Sequence, residues 1–376
     1  MKTHIDYYQT TASSEVEELT PIAIKVLAIR SAFLDHLDTL APPFSEWIKG
    51  HYLDRLIRAE DRHMLGEYAP FLLADILRIP SEVASRIIVP WLALYEHALL
   101  IDDIVDVRAE SWSREILLSQ ILFDDFLSLW RERFAAHPEL WSAFCVYHQQ
   151  GLAAALEQMD QSLTTTEQRS LNLKWKPEMH VTMGRKAALV KFCGAALSVE
   201  HKGRLLSHSE EDGIDKLCAG IQLLDDLSDC AEDYRDGRET FPLRTAFERI
   251  GYSYYLDRSI PHPLSEDEII SVITLSGVSA EVTTLVCYYL TDGLETLNAG
   301  PDSTTVKYLM SLLDDCRRAR ESFDRFFEKH NQTIEAVLLS ARETKEQLGQ
   351  ILMNPAYAAL RVEMKTRFKG IPKASN

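Results

Sequence analysis

Glycine and proline are scarce in this 376-residue chain, with 15 and 14 residues spread along its length. Their scarcity argues against a strand-and-turn fold and against a long linker. Six cysteines (Cys145, Cys193, Cys218, Cys230, Cys287 and Cys316) show no CxxC and no paired spacing. Most sit in apolar helical contexts and read as buried thiols in a reducing compartment. No apolar run approaches the roughly 20 residues that span a bilayer. Residues 1–19, "MKTHIDYYQTTASSEVEEL", are polar and acidic without an apolar core of signal-peptide type. The expectation is a cytoplasmic chain with no stable membrane insertion. Cations are the largest deficit: 40 Lys and Arg stand against 57 Asp and Glu, a net charge of −17. Nucleic acid and anionic membranes both need a basic face, so neither is expected as a general partner. A small anionic ligand stays open, provided that local Lys and Arg or a bound metal receive it.

What the chain does have is a 46% apolar content and helical periodicity nearly throughout. In "EILLSQILFDDFLSLWRERF" (115–134), Leu118, Ile121, Leu122, Leu129 and Trp130 recur at helical intervals. Punctuation agrees: Pro80-Ser81 opens a helix, Ser265 with Glu268 has capping-box form, and "NAGPDST" (298–304) breaks two helices, with Asp302 or Ser303 able to cap the second. Loops are expected at 162–180 and 256–264. With no strand alternation and no repeat, the reading is an all-α, single-domain helical bundle of ten or more helices, residues 1–50 forming a helical extension.

Four Asp-Asp pairs occur, at 102/103, 124/125, 225/226 and 314/315. Asp124-Asp125 and Asp314-Asp315 gain no third aspartate and read as solvated faces or local ion pairs. Asp102-Asp103 gains Asp106, and Asp225-Asp226 gains Asp229, so both read DDxxD. On a helix, positions i and i+4 stack on one face and i+1 lies about 100° away, so three carboxylates address one small volume. Hard oxygen donors at that density suit Mg²⁺, which commonly bridges to phosphate oxygens. Acidic triplets on exposed helices are common, and one alone reads best as a solvated face. Two, each after an apolar run ("HALLI" and "GIQLL"), point to a pair of helices clamping a diphosphate through metal. A calcium loop needs alternating ligands and a central Gly, and "DDIVDVRAESWS" has neither.

Four stretches in order then resemble the class I isoprenoid synthase superfamily, most closely the trans-prenyl diphosphate synthases. "LLIDDIVD" is similar to the family's first aspartate-rich motif. "MGRKAALVKFCGAAL" (183–197) is similar to its Gly-Lys-Thr-Ala-x-Leu segment, with Arg185 at the Lys position and Lys186 next. "IQLLDDLSD" resembles the second motif, including Gln222, and "DYRDGRETFPL" resembles the following Asp-x-x-x-Gly-Lys-x-Thr-x-Pro-Leu segment, with Arg238 as the cation. These matches span roughly 60–245, and the two acidic motifs begin 123 residues apart. Gln222, Asp229, Glu232, Asp233, Gly237 and Arg238 also follow the second motif of squalene and phytoene synthases, although the Arg they place three residues before the first aspartates is Leu99 here.

The resemblance implies a bundle with a central active-site cavity. It also implies Mg²⁺ (about three ions with bound diphosphate), a linear prenyl diphosphate substrate and a homodimer. Asp102, Asp106, Asp225 and Asp229 would hold metal, with Asp103 and Asp226 beside them and Asp233 extending the second site. Arg185, Lys186 and Arg238 would receive diphosphate.

Two departures set the reaction expected. Chain-elongating enzymes bind a second diphosphate through Gly-Gly-Lys-x-x-Arg-Pro; the equivalent here, "MLGEYAP" (64–70), keeps Pro70 but puts Gly66, Glu67 and Ala69 where cations belong. The family's Arg-Arg-Gly-x-Pro is replaced by "VRAESWSRE", with Arg108 and Arg114 as poor substitutes. A second diphosphate facing Glu67 is electrostatically wrong. The expectation is therefore a terpene synthase that ionises one allylic diphosphate and cyclises or rearranges the cation. A head-to-tail or head-to-head prenyltransferase drawing cations from Arg55, Arg58 and Arg62 is the alternative. A helical scaffold or regulatory subunit is the non-enzyme alternative. Trp91, Tyr95 and Phe192 are candidates for an aromatic cavity wall, with core packing the commoner fate of each. Lys307-Tyr308 lies about where terpene cyclases place a diphosphate-binding pair, and His97 reads as a satisfied core histidine.

Overall fold

The computed structural model describes residues 21–58, 64–107, 113–163, 184–185, 187–236, 240–249, 264–301 and 303–343. Among them are thirteen helices and no strand. These are α1 (Pro21–Leu37), α2 (Phe44–Arg58), α3 (Met64–Ile76), α4 (Ser81–Val107), α5 (Ser113–Phe134), α6 (Pro138–Leu163), α7 (Ala188–Lys202), α8 (His208–Ser228), α9 (Cys230–Asp236), α10 (Phe241–Arg249), α11 (Glu266–Leu275), α12 (Val278–Thr296) and α13 (Thr304–Glu343). Helix α6 runs through Leu163, two residues into the stretch expected as a loop from 162. Most of that loop, and most of 256–264, lies outside the described residues.

Capping chemistry accounts for several helix starts. Before α8, Ser207 Oγ accepts from Glu210 N at 3.2 Å, and the Glu210 carboxylate accepts from Ser207 N at 2.7 Å. Before α11, the Glu268 carboxylate accepts from both N and Oγ of Ser265. At α13 the cap is Ser303, whose Oγ accepts from Val306 N at 3.0 Å. Asp75 at the end of α3 ties the same turn down, accepting from Ser303 Oγ at 2.6 Å and Thr305 N at 2.8 Å.

Two apolar clusters form the interior. One gathers α1–α7 around Phe33, Tyr52, Trp91, Phe126, Trp130 and Phe192. The other gathers α8 and α10–α13 around Leu223, Phe247, Ile273, Val286 and Leu313. Helix α8 contributes to both, Ile214 to the first and Leu217 onward to the second. It packs closely on α12: a Cβ at Gly293 would lie 2.9 Å from Leu217 side-chain atoms, and one at Gly220 would lie 3.0 Å from Leu290. Glycine is thus required there for helix approach, and α8 is held in place by it.

Three expectations are corrected. Cys145 is exposed, while Cys193, Cys230 and Cys316 are buried. Among the described residues, Ser81–Asp102 is long and apolar enough on composition to cross a bilayer, as is α11 with α12 taken together across a 73° bend. More than half of the Ser81–Asp102 window (56%) is buried inside the protein, which fits a core helix. The acidic pair on α5 is not merely solvated: Asp125 Oδ2 lies 2.7 Å from His36 Nε2 on α1. By contrast, Asp314 and Asp315 make local ion pairs with Arg317 and Arg318.

Candidate active site

The long helix α4 carries Trp91, Tyr95, Ala98, Leu99 and Asp102 along a single face, at spacings of three and four. Helix α8 carries Gln222, Asp225 and Asp226. It ends at Asp229, which is the C-cap and donates its N–H to Asp225 O. Helix α9 follows at once, and Asp233 N donates to Asp229 O at 2.9 Å. Asp225, Asp229 and Asp233 therefore continue an i, i+4 ladder across the junction. These side chains, with Ala187, Leu189, Val190 and Thr240, line one cavity of about 360 Å³. That volume lies in the range of small-molecule sites.

Much of the lining is acidic. Asp102, Asp225, Asp226, Asp229 and Asp233 all belong to it. Asp226 and Asp233 are 7% and 6% exposed, whereas Asp102 is exposed at the far end of α4. Gln222 Nε2 donates to Asp226 Oδ1 at 2.8 Å and so fixes the orientation of one buried carboxylate. Gathered carboxylates repel and disfavour one another's charged forms, while their hard oxygens are the donors that Mg²⁺ prefers. The donor set fits that ion. The carboxylates ring the cavity rather than meeting at a point: among the described residues no three His, Cys, Asp or Glu groups converge as a ligand cluster.

The rest of the lining is largely apolar and aromatic. Trp91 and Tyr95 stack one helical turn apart, ring centroids 5.9 Å and planes 15° apart. Burial pushes the Tyr95 phenol well above its ordinary pKa; Arg55 opposes the shift, while Glu96, Glu67 and Asp225 add to it, so the phenol stays neutral. Behind this wall lies a buried ion cluster that joins α1, α2, α3 and α4. Arg30 Nε donates to Glu67 Oε2 at 2.8 Å, and Tyr52 OH donates to Glu67 Oε1 at 3.3 Å. Arg55 Nε donates to Glu96 Oε2 at 3.0 Å; its Nη2 donates to Glu96 Oε1 and lies 3.7 Å from Glu67. Glu67 is fully buried.

Of the residues singled out in the sequence, the structure brings Asp102, Gln222, Asp225, Asp226, Asp229, Asp233, Trp91 and Tyr95 to one cavity. Asp103 and Asp106 lie on α4, but their side chains are outside the described residues, as are Arg108, Lys186 and Arg238 altogether. Arg185 is exposed two residues before the lining Ala187 and does not itself line the cavity. Arg114 is exposed at the start of α5 over the Trp47 ring, 6.0 Å from its centroid. Lys307 is exposed on the first turn of α13, away from the cavity lining, and Tyr308 packs on the second apolar cluster. Phe192 is a core residue, 4.9 Å from both Trp130 and Phe144 by ring centroid. His97 faces away from the cavity, its Nδ1 2.8 Å from Ser119 Oγ.

Sequence reasoning passed over Ala98, Val190 and Thr240, which line the cavity, and the Glu96 and Arg30 halves of the ion cluster. Glu96 lies inside the opening apolar run of the first motif, where a lone carboxylate was itself a signal. Its partner is 41 residues away and carries no local pattern.

No protein-family model and no curated protein matches this chain. Among solved structures it is similar to a decaprenyl diphosphate synthase from Rhodobacter capsulatus, with a TM-score of 0.57 over 78% of this chain and 95% of that one. Identity is 16%, so the likeness is one of fold. The all-α architecture expected from the motifs is thus one that a prenyl diphosphate synthase also adopts.

Proposed function

We propose that the protein is a Mg²⁺-dependent class I terpene synthase, which ionises one linear allylic prenyl diphosphate and cyclises or rearranges the resulting cation. The carrying observation is the single cavity lined both by five aspartates and by the stacked Trp91–Tyr95 pair. Asp102, Asp106, Asp225 and Asp229 would hold Mg²⁺, which when bound neutralises the carboxylates and polarises the departing diphosphate. Gln222 holds Asp226 in one orientation. Arg185, Lys186 and Arg238 would accept the diphosphate oxygens through charge-assisted hydrogen bonds. Trp91, Tyr95, Ala98, Leu99 and Val190 exclude water, and the two aromatic faces suit a cationic chain.

A chain-elongating prenyltransferase is the second reading, supported by the fold shared with a decaprenyl diphosphate synthase. Against it stands Arg55, the one of the three candidate cations for a second diphosphate whose side chain lies among the described residues. Its guanidinium is engaged by Glu96 and Glu67 inside the protein. Incubation with Mg²⁺ and farnesyl, geranylgeranyl or longer diphosphates, with and without isopentenyl diphosphate, separates the two. Hydrocarbon or terpene alcohol formed without the five-carbon unit is the expected outcome; product formed only in its presence overturns the proposal in favour of elongation. A scaffold without activity is indicated if Asp102→Ala and Asp225→Ala change nothing that the protein does.

A further inference from the structure

The aromatic wall is set from outside by one residue of α3. Gly66 O accepts the Trp91 indole N–H at 2.9 Å. A Cβ built on Gly66 would stand 2.2 Å from Cζ and Oη of Tyr95 and 2.6 Å from its Cε2. The Tyr95 phenol therefore fills the space that a side chain at 66 would take, and the Gly66 carbonyl fixes the ring stacked on it. The next residue, Glu67, is anchored by Arg30, Tyr52 and Arg55, so this turn of α3 is held against sliding away. The open volume beside the Tyr95 ring is the cavity it lines.

We infer that Gly66 is a positioning residue that sets the depth of the apolar part of the cavity, and with it the length of prenyl chain the site admits. The inference rests on the function proposed above for its ligand class, a linear polyunsaturated hydrocarbon chain. A methyl group at position 66 drives the Tyr95 ring into the cavity and shortens it. A smaller side chain at 95 leaves the space beside Gly66 open and lengthens it.

Prenyl alcohols of ten, fifteen and twenty carbons, titrated by calorimetry, test this without turnover. Gly66→Ala weakens binding of the longest alcohol that the unaltered protein accepts by about ten-fold or more and leaves the shorter ones within about two-fold. Tyr95→Leu alone shifts acceptance toward longer alcohols, and adding Tyr95→Leu to Gly66→Ala restores the lost length. If the double variant binds as Gly66→Ala does, or if Gly66→Ala leaves the length profile unchanged, the inference is overturned. Should Gly66→Ala not fold, the double variant decides alone: folding with a restored profile supports the role, and failure to fold overturns it. An unaltered protein that binds none of the alcohols also overturns it. Length-dependent binding that responds to Gly66 without any turnover of prenyl diphosphates overturns the proposed function and leaves the positioning role standing.

Discussion

Behind the aromatic wall, Glu67 and Glu96 sit with Arg30 and Arg55 in a buried cluster of two negative and two positive groups. At the rim of the same cavity, Asp102, Asp225, Asp226, Asp229 and Asp233 gather five carboxylates around one volume. The back of the site is electrically self-contained. The front concentrates charge of one sign where a divalent cation and an anionic ligand would meet. Breaking the back therefore costs stability, and altering the front costs function.

The largest effect belongs to the back. Glu67 is fully buried between two guanidinium groups and the Tyr52 hydroxyl. Removing one member of a buried ion pair leaves its partners desolvated, which costs about 3–5 kcal/mol. Glu67→Ala is expected to lower the unfolding free energy by about that amount, read from urea melts; a loss under about 1 kcal/mol would show that the cluster is dispensable to the fold. At the front, Asp225→Asn keeps size, removes one charge and turns one acceptor oxygen into a donor. Turnover of the accepted prenyl diphosphate is expected to fall on the order of 10²–10³-fold, with the helical circular dichroism signal unchanged. Equal damage to both signals would erase the distinction between back and front.

Helix α4 supplies a third titratable group on its opposite face. Burial holds His97 down at about pKa 4 against an ordinary 6.5, with His148 adding to the shift and a backbone hydrogen bond to Ser119 opposing it. The unfolded chain binds the proton more readily than the folded one, so stability is full above pH 6.5 and is lost as pH falls toward 4. The group contributes up to about 3 kcal/mol across that window. Thermal melts of His97→Gln are expected to lose this part of the acid sensitivity; an unchanged pH profile would exclude His97 as its source.

How much of this was legible in the sequence follows from the range of each interaction. The DDxxD triplets are local, i to i+4, so their presence on single helix faces could be read directly, as could the caps at Ser265 and Ser303. The meeting of Asp102 with Asp225 at one cavity was expected from the occurrence of two such triplets, each after an apolar run, and from the family resemblance. The ion cluster was not legible, because Arg30 and Glu67 are 37 residues apart and Arg55 and Glu96 are 41 apart, with no spacing rule to join them. Glu67 was read as wrong for a second diphosphate from its charge alone, and its neutralisation by two arginines was invisible. Tyr95 and Phe192 looked alike, aromatic and near a motif. Only packing sends one to the cavity and the other among Phe126, Trp130 and Phe144.

The smallest predicted effect separates the two triplets themselves. Three residues before each lies a cavity-lining position: Gln222 before Asp225 and Leu99 before Asp102. On α8 the amide reaches four residues on to Asp226. On α4 an aliphatic side chain, Leu99, stands in that register. The second triplet therefore has a built-in brace, and bracing a ligating carboxylate typically matters by about 10–100-fold in metal affinity or activity. Gln222→Leu removes that brace. It is expected to raise the Mg²⁺ concentration needed for half-maximal activity by about ten-fold, with the KM for the prenyl diphosphate little changed at saturating metal. The reciprocal Leu99→Gln on α4 is expected to change that Mg²⁺ requirement by less, because α4 ends close by and Asp102 is already exposed. If Gln222→Leu moved only KM, the amide would be reading the substrate instead of holding the carboxylate, and the asymmetry between the triplets would lie in recognition.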